Sequence, residues 1–289
     1  MAQYRLLEQI GGGGFADVWR AVREDTGQEF AIKMLREFQN ADARHRFERE
    51  VRLIQGLQHP RVIRLVEANT QTERPFYVMP LMKGGALTRW AGRLPFQTLR
   101  SILTELADCL AYLHEQGGFH RDIKPDNLLV DEAGQFAIGD FGLGNNPRYT
   151  MMFTAHAAGT WGYVAPELTL PGAQATQAAD IYSLGATLFH LLTGVHPKDR
   201  PLLDPWAIRR DVPTELRNLV LQMVQLDPRC RPTARRVFEQ LRPPIEIPKP
   251  ATAPAPARAQ DADDTWKAVL GIGGLVAAVA LLVKASSSK

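Results

Sequence analysis

The sequence has few cysteines and little net charge, and each shortage excludes a class of protein. Its 289 residues include two cysteines, Cys109 and Cys230, whose spacing matches no metal-binding or redox motif. A small disulfide-stabilised scaffold is therefore excluded, and a reducing compartment is indicated. The formal net charge is +3, which is small for this length and indicates that nucleic acid is not a partner.

The N-terminal segment lacks the long apolar run of an export signal. Its first residues, MAQYRLLEQI, include Arg5 and Glu8 within a short apolar stretch. A signal-peptide core needs roughly 7 to 15 apolar residues in a row. We therefore expect the globular part of the chain to stay in the cytoplasm.

Composition divides the chain into three parts. Residues 1–243 are globular in composition, residues 244–264 form a linker rich in proline and alanine, and residues 265–289 form a short apolar tail. Within the globular part, apolar positions first alternate and later repeat at helical spacing. We predict a hairpin at 4–36, a helix at 41–57, strands at 62–68 and 75–81, and helices near 97–117, 176–193, 213–226 and 232–242.

This order of elements predicts an α+β chain with two lobes. A small strand-rich lobe with a single helix, at about residues 1–80, precedes a larger helical lobe at about residues 84–243. The junction is expected near residues 79–85, where Gly84 and Gly85 end the strand pattern.

Three motifs carry the residue types that phosphoryl transfer from ATP requires. Residues 120–127 read HRDIKPDN, residues 140–142 read DFG, and residues 31–33 read AIK on a predicted strand. Together they supply a proton acceptor, two oxygen ligands for a divalent cation and a cation that pairs with phosphate. A single HRD tripeptide has little specificity, whereas the full set at these spacings is highly specific.

Over residues 4–242, this combination resembles the eukaryotic-type (Hanks-type) serine/threonine protein kinases, and with the tail it resembles a bacterial membrane-anchored member. The resemblance implies a two-lobed protein-kinase-like fold and transfer of the ATP γ-phosphate to serine or threonine hydroxyls of protein substrates. It makes Asp122 the catalytic base and Lys124 the residue that contacts the transferred phosphate. Asn127 and Asp140 are then the ligands of Mg²⁺ or Mn²⁺, with ATP as co-substrate.

The resemblance also implies an ATP-binding region in the first lobe. Its glycine-rich run reads IGGGGFADV, with Ala16 where the family has its third glycine. Glycines let backbone amides approach the phosphates closely, and the methyl group of Ala16 intrudes least among side chains. The predicted ATP-binding residues are Ile10, Gly11, Gly12, Gly13, Gly14, Val18, Ala31, Lys33, Glu50, Pro80, Met82, Asn127 and Asp140.

Two further expectations concern the acidic partner of Lys33 and the hinge that holds adenine. Lys33 is expected to pair with the ATP phosphates while an acidic residue of the next helix holds it; Glu50 is favoured for that role, and Glu48 is the alternative. At the hinge, the backbone of Pro80 and Met82 is expected to hold adenine. Proline there lacks an N–H donor but keeps the carbonyl that adenine needs, and it stiffens the hinge.

The segment after DFG resembles a kinase activation segment. Thr160 is expected to contact Lys124, and Arg121 is expected to bind a phosphate group on this segment. A phosphate adds roughly −1.5 to −2 charges and can order a loop through arginine contacts. We therefore predict that Thr150 or Thr154 is autophosphorylated and that this raises activity.

Three further residues are expected to have structural roles. The resemblance pairs Glu167, at the end of the activation segment, with Arg231, and it makes Asp180 hold the HRD backbone from a central helix. The alternative is that these residues are ordinary helix caps or surface ion pairs.

The C-terminal tail carries about sixteen uncharged, mostly apolar residues at 268–283. As a helix they would span roughly 24 Å, against a bilayer core of about 30 Å. Trp266 at the interface, with snorkelling Lys267 and Lys284, would make up the difference. We predict a single-pass membrane anchor below a cytoplasmic kinase domain. The alternative is a helix that docks on the kinase or on a partner.

Small residues also recur four apart in the tail. Gly273 with Ala277, and Gly274 with Ala278, permit two helices to approach closely. The tail therefore predicts a homodimer, in which one copy phosphorylates the other.

Two other function classes remain as alternatives. A pseudokinase scaffold would bind nucleotide and recruit partners, but it would have no need of all five of Lys33, Glu50, Asp122, Asn127 and Asp140. A small-molecule kinase would share the fold, but the combination of Lys124, Thr160 and the APE tripeptide favours protein substrates.

Overall fold

A computed structural model of the chain describes residues 3–12, 16–141, 161–170, 172–200 and 202–242. The predictions for Gly13, Gly14, Thr150, Thr154, Thr160 and residues 244–289 fall outside these described residues. Within them, no helix is both long enough and apolar enough to cross a bilayer.

The first lobe is built on a five-stranded antiparallel sheet. Its strands are β1 (Tyr4–Gly12), β2 (Ala16–Arg23), β3 (Glu29–Leu35), β4 (Glu67–Asn69) and β5 (Phe76–Pro80), in the order β1-β2-β3-β5-β4. The turn between β2 and β3 contains Gly27 at φ +69°, a backbone conformation that glycine adopts without strain. The predicted hairpin is therefore observed, and β3 lies at the centre of the sheet.

The predicted strand at 62–68 is wrong over most of its length. Val62 makes only an isolated bridge with Ile138 of the second lobe, and the strand β4 begins at Glu67. The backbone N–H of Ile63 donates to Ile138 O at 2.9 Å, and that of Ile138 donates to Arg61 O at 2.6 Å. Val62 and Ile63 are apolar because they are buried at this contact with the second lobe, whereas Val66 is 46% exposed.

Helix α1 (Ala41–Gly56) packs against the first sheet. Asn40 caps its N-terminus by accepting a hydrogen bond from Ala43 N–H at 3.1 Å. Phe47, Val51 and Ile54 lie on its buried face, together with Glu50. The helix therefore carries one carboxylate on the face that it turns toward the sheet.

The second lobe is mainly helical. Its helices are α2 (Phe96–Glu115), α3 (Gln177–Thr193), α4 (Thr214–Met223) and α5 (Ala234–Leu241). A three-stranded sheet of β6 (Gly85–Ala86), β7 (Leu128–Val130) and β8 (Phe136–Ile138) lies beside them. All four predicted helices are observed, and the predicted α+β architecture is confirmed.

Helix α3 occupies the middle of the second lobe. Almost all its side chains are buried, including Leu184, Phe189 and Leu192, which have no exposed surface. A helix that is buried on nearly all sides belongs to the interior of a core, and its polar side chains must find partners there. Gly194 ends it in the left-handed conformation, with φ +74°, and so turns the chain out of the core.

Candidate active site

Lys33 lies between two carboxylates that come from distant parts of the chain. Its Nζ is 2.8 Å from Glu50 Oε1 on α1 and 2.5 Å from Asp140 Oδ1 after β8. The side chains of Lys33 and Glu50 are only 12% and 10% exposed. Glu48, the alternative partner, instead contacts His45 and Arg52 on the outer face of α1.

The charges in this group support one another. Burial alone lowers the pKa of the Lys33 ammonium, but Asp140 and Glu50 outweigh it and raise this pKa well above its usual value. The positive charge of Lys33 in turn lowers the pKa of Asp140. Burial raises the pKa of Glu50, and Lys33 opposes that shift. Lys33 is therefore held as a buried cation.

Tyr77 also contacts this group, and sequence reasoning missed it. Its hydroxyl donates to Glu50 Oε1 at 2.9 Å, and its side chain is 1% exposed. An aromatic residue in a strand indicates core packing, so the sequence contains no signal for the role of this hydroxyl.

The HRDIKPDN loop orients Asp122 through its own residues. Lys124 Nζ donates to Asp122 Oδ2 at 2.8 Å, and Asn127 Nδ2 donates to the same oxygen at 2.9 Å and to the Asp122 carbonyl at 2.7 Å. Asp122 Oδ1 is buried and has no hydrogen-bond partner within the described part of the chain. A buried carboxylate oxygen without a donor is a free acceptor, as a catalytic base needs.

Asp180 of α3 holds this loop from below. Its carboxylate accepts hydrogen bonds from the backbone N–H groups of His120 and Arg121, both at 2.8 Å, and lies 3.0 Å from His114 Nε2. Arg121 has φ +71°, which is a strained conformation for a residue with a side chain. The two hydrogen bonds from the backbone to Asp180 hold this turn in place.

Asn127 and Asp140 are joined by the backbone between them. Gly139 N–H donates to the Asn127 carbonyl at 3.0 Å, which holds the residue before Asp140 against the loop. The Asn127 amide nitrogen is used by Asp122, so its side-chain oxygen is the atom left for a ligand. The Asp140 side chain is 57% exposed. An amide oxygen and a carboxylate suit a hard cation such as Mg²⁺.

The glycine-rich run and the hinge border the same sheet. Gly11 pairs with Val18 across β1 and β2, and Ala31 is buried on β3. Pro80 ends β5, and the Met82 carbonyl accepts a hydrogen bond from Gly85 N–H at 2.9 Å. Ile10 is 47% exposed at the end of this surface, and Gly12 follows Gly11 at the end of β1.

Glu167 and Arg231 form a two-point ion pair, as the resemblance implied. Arg231 Nη1 lies 2.7 Å from Glu167 Oε1 and Nη2 lies 2.8 Å from Oε2, and the Arg231 side chain is fully buried. The geometry therefore excludes the alternative of a surface pair for these two residues.

The described residues match a known family. The family profile described as "Protein kinase domain" matches residues 4–241. CBL-interacting protein kinase 19 of Oryza sativa subsp. japonica is 33% identical over 256 residues, covering 83% of this chain and 50% of that protein. Sperm motility kinase 3A of Mus musculus is 32% identical over 249 residues, covering 82% and 49%.

A bacterial relative has similar identity. A protein of Clostridium perfringens (strain 13 / Type A), named as a probable serine/threonine-protein kinase, is 30% identical over 259 residues, covering 83% of this chain and 38% of that protein. The chain thus spans half or less of the length of these curated relatives.

Proposed function

Because the chain belongs to the protein kinase family, we propose that it transfers the γ-phosphate of ATP to serine or threonine hydroxyls of protein substrates. The observation that carries this proposal is the position of Lys33 Nζ, within 2.8 Å of Glu50 and 2.5 Å of Asp140. A cation already held in place stabilises phosphate charge without reorganisation during the reaction.

Lys33 and Asp122 have separate tasks in this proposal. Lys33 pairs with the phosphates of ATP, and Glu50 keeps its ammonium group in the cleft. Asp122 accepts the proton of the attacking hydroxyl at Oδ1, since Oδ2 is engaged by Lys124 and Asn127. Lys124 Nζ lies 2.8 Å from Asp122 Oδ2, beside the base and where the transferred phosphate would pass.

Asn127 and Asp140 would hold the divalent cation, Mg²⁺ or Mn²⁺. When bound, it would neutralise charge on the phosphate oxygens. The hydrogen bond from Gly139 N–H to the Asn127 carbonyl, at 3.0 Å, holds the two segments next to each other.

The proposal is tested by incubating the purified chain with labelled ATP, Mg²⁺ and a generic protein substrate, and measuring the label transferred to protein. Asp122→Ala should lower the transfer rate by roughly 10²- to 10⁴-fold and leave ATP binding nearly intact. The matched control is Asp25→Ala, in the exposed turn between β2 and β3. If the wild type labels no polypeptide, or if both variants label equally well, the proposal is wrong. ATP consumption without labelled protein would indicate a small-molecule substrate.

We further propose autophosphorylation at Thr150 or Thr154. Support comes from Arg121, whose Nε is buried without a hydrogen-bond partner among the described residues. Burial, and then the charge of Arg49, lower the pKa of its guanidinium. Alanine at the modified threonine should lower activity. Mass spectrometry that finds an unmodified but fully active enzyme would contradict this.

We also propose that residues 268–283 anchor the chain in a membrane, with the kinase domain on the cytoplasmic side. Their apolar composition and the flanking Trp266, Lys267 and Lys284 support this. In a vesicle flotation assay the full chain should float, and Val276→Arg should reduce floating because a central arginine costs roughly 2.5–3.5 kcal/mol. Ser287→Arg is the control. A wild type that stays with soluble protein would contradict the anchor.

Pairing of two tails through the small residues is part of the same proposal. Crosslinking of the intact protein in detergent should trap a dimer, and Gly273→Leu should reduce it. Monomeric behaviour of the wild type throughout would exclude this contact.

A further inference from the structure

Tyr77 lies at the centre of the first lobe, between β3 and α1. Tyr77 belongs to β5, where it lies opposite Lys33 of the neighbouring strand β3. Its ring packs against Phe47 of α1, with ring centroids 5.4 Å apart, and it is 1% exposed. A phenylalanine would satisfy all of this packing, so packing alone does not explain why a hydroxyl is present.

Among the described residues the hydroxyl has one hydrogen-bond partner, and that partner belongs to the candidate active site. Glu50 Oε1 accepts from Tyr77 at 2.9 Å and from Lys33 Nζ at 2.8 Å, so one oxygen receives two donors from two strands. Lys33 Nζ also lies 5.7 Å from the centroid of the Tyr77 ring. Burial, followed by the charge of Glu50, raises the pKa of the Tyr77 hydroxyl well above its usual value, so the hydroxyl stays a neutral donor.

ATP binding affects the two hydrogen-bond donors of Glu50 differently. Lys33 must share its ammonium protons with the phosphates, which weakens its hold on Glu50, whereas Tyr77 makes no such contact in the proposed reaction. A buried carboxylate that loses its hydrogen-bond donors is destabilised in its charged form. It then rotates toward solvent or takes up a proton. A donor that does not depend on nucleotide therefore keeps Glu50 inward throughout a reaction cycle.

We propose that Tyr77 is a positioning residue, whose hydroxyl holds Glu50 toward Lys33 and so keeps α1 against the sheet in the arrangement that phosphoryl transfer requires. This inference rests on the proposed kinase function. Tyr77 joins the Lys33–Glu50 pair as a third residue. The position of α1 against the sheet then does not depend on bound nucleotide.

The variant that tests this is Tyr77→Phe, which removes one oxygen and keeps the ring. We expect kcat to fall about 10- to 100-fold, as for loss of a hydrogen bond to a charged group, with the KM for protein substrate little changed. The control is Tyr4→Phe, because Tyr4 also donates to a glutamate of the first lobe, Glu67 at 3.4 Å, away from Lys33. It should keep the wild-type kcat.

A double-mutant cycle separates positioning from general support of the fold. If Tyr77 acts through Glu50, then Tyr77→Phe should change kcat by less than about twofold when Glu50 is already alanine. Equal effects of Tyr77→Phe in the presence and absence of Glu50, or a wild-type kcat in the single variant, would overturn the proposal.

Hydrogen exchange provides a readout that needs no catalysis. In Tyr77→Phe, the amides of α1 should exchange about fivefold or more faster than in the wild type, while those of α2 stay unchanged. If the wild type transfers no phosphate, the kinase function fails but this measurement still decides the positioning role. If hydrogen exchange in α1 is unchanged in Tyr77→Phe, the positioning role of Tyr77 is wrong even if the protein is an active kinase.

Discussion

Lys33 shows how a single side chain acquires a function from its surroundings. In an extended chain it is an ordinary strand lysine, but the fold brings Glu50 and Asp140 to its ammonium group from residues 17 and 107 positions away. Their charges outweigh the effect of burial, so the pKa of Lys33 rises. The residue is therefore charged and fixed before ATP binds.

This environment predicts the effect of removing the charge. Lys33→Met should lower kcat by roughly 10²- to 10³-fold, since a preorganised charge contact to the phosphates is lost. Lys83→Met is the matched control, because Lys83 is 43% exposed and pairs with Glu29 and Glu132 outside this group. Steady-state kinetics measure both variants. Equal losses in the two would mean that Lys33 has no specific role.

Glu50 and Tyr77 differ in how far the sequence predicts them. The resemblance favours Glu50 over Glu48, because Glu50 stands nine residues before His59 as in the family pattern. In the structure it lies on the buried face of α1. Tyr77 meets Glu50 across 27 positions, and only the packing of α1 on β5 creates that contact.

At the scale of elements, α3 links the interior of the second lobe to the end of the activation segment. Its Asp180 holds the HRD turn, while His190, one turn from its C-terminus, contacts the Tyr163 hydroxyl at 2.5 Å. His196 lies beside both rings.

The burial of His190 predicts a dependence of stability on pH. Burial, and then the neighbouring His196, lower its pKa below the usual 6.5. The folded state therefore binds a proton less readily than the unfolded state. The stabilising contribution is fully present above about pH 6.5 and is lost as the pH falls, by at most about 1.4 kcal/mol per pH unit.

Urea unfolding between pH 7.5 and 5 checks this prediction. His190→Gln keeps an oxygen acceptor for Tyr163 but does not titrate, so its unfolding free energy should fall less steeply with acid. His45→Gln is the control, because His45 is 76% exposed on α1. An identical acid slope in wild type and His190→Gln would show that His190 does not contribute.

At the scale of the whole molecule, Arg231 joins segments that are far apart in the chain. It pairs with Glu167 and donates to the carbonyls of Ala178, at 2.9 Å, and Gln225, at 2.7 Å. The end of the activation segment, the start of α3 and the loop after α4 thus meet at one guanidinium.

Removing this junction should destabilise the fold. Arg231→Met leaves Glu167 and the carbonyls of Ala178, Gln225 and Leu226 without their donor. We expect a loss of about 3 kcal/mol because Glu167 keeps some exposure. Arg229→Met, at a side chain that is 89% exposed, should leave the unfolding midpoint unchanged. Denaturant unfolding of both variants measures the difference. If Arg231→Met unfolds at the same denaturant concentration as the wild type, the proposed junction is contradicted.

By itself, the sequence determined the two-lobed α+β architecture and the helices, since periodicity and spacing are local properties of a chain. Through its motifs it also showed the resemblance to protein kinases, which implies the residues proposed for phosphoryl transfer. The tertiary structure alone decided that Val62 and Ile63 contact Ile138 of the second lobe outside the first sheet. It also decided that Asp122 keeps one oxygen without a partner among the described residues, and that Tyr77 shares the oxygen of Glu50 with Lys33. Contacts of this kind depend on packing between distant segments, and a difference of about one ångström makes or breaks them.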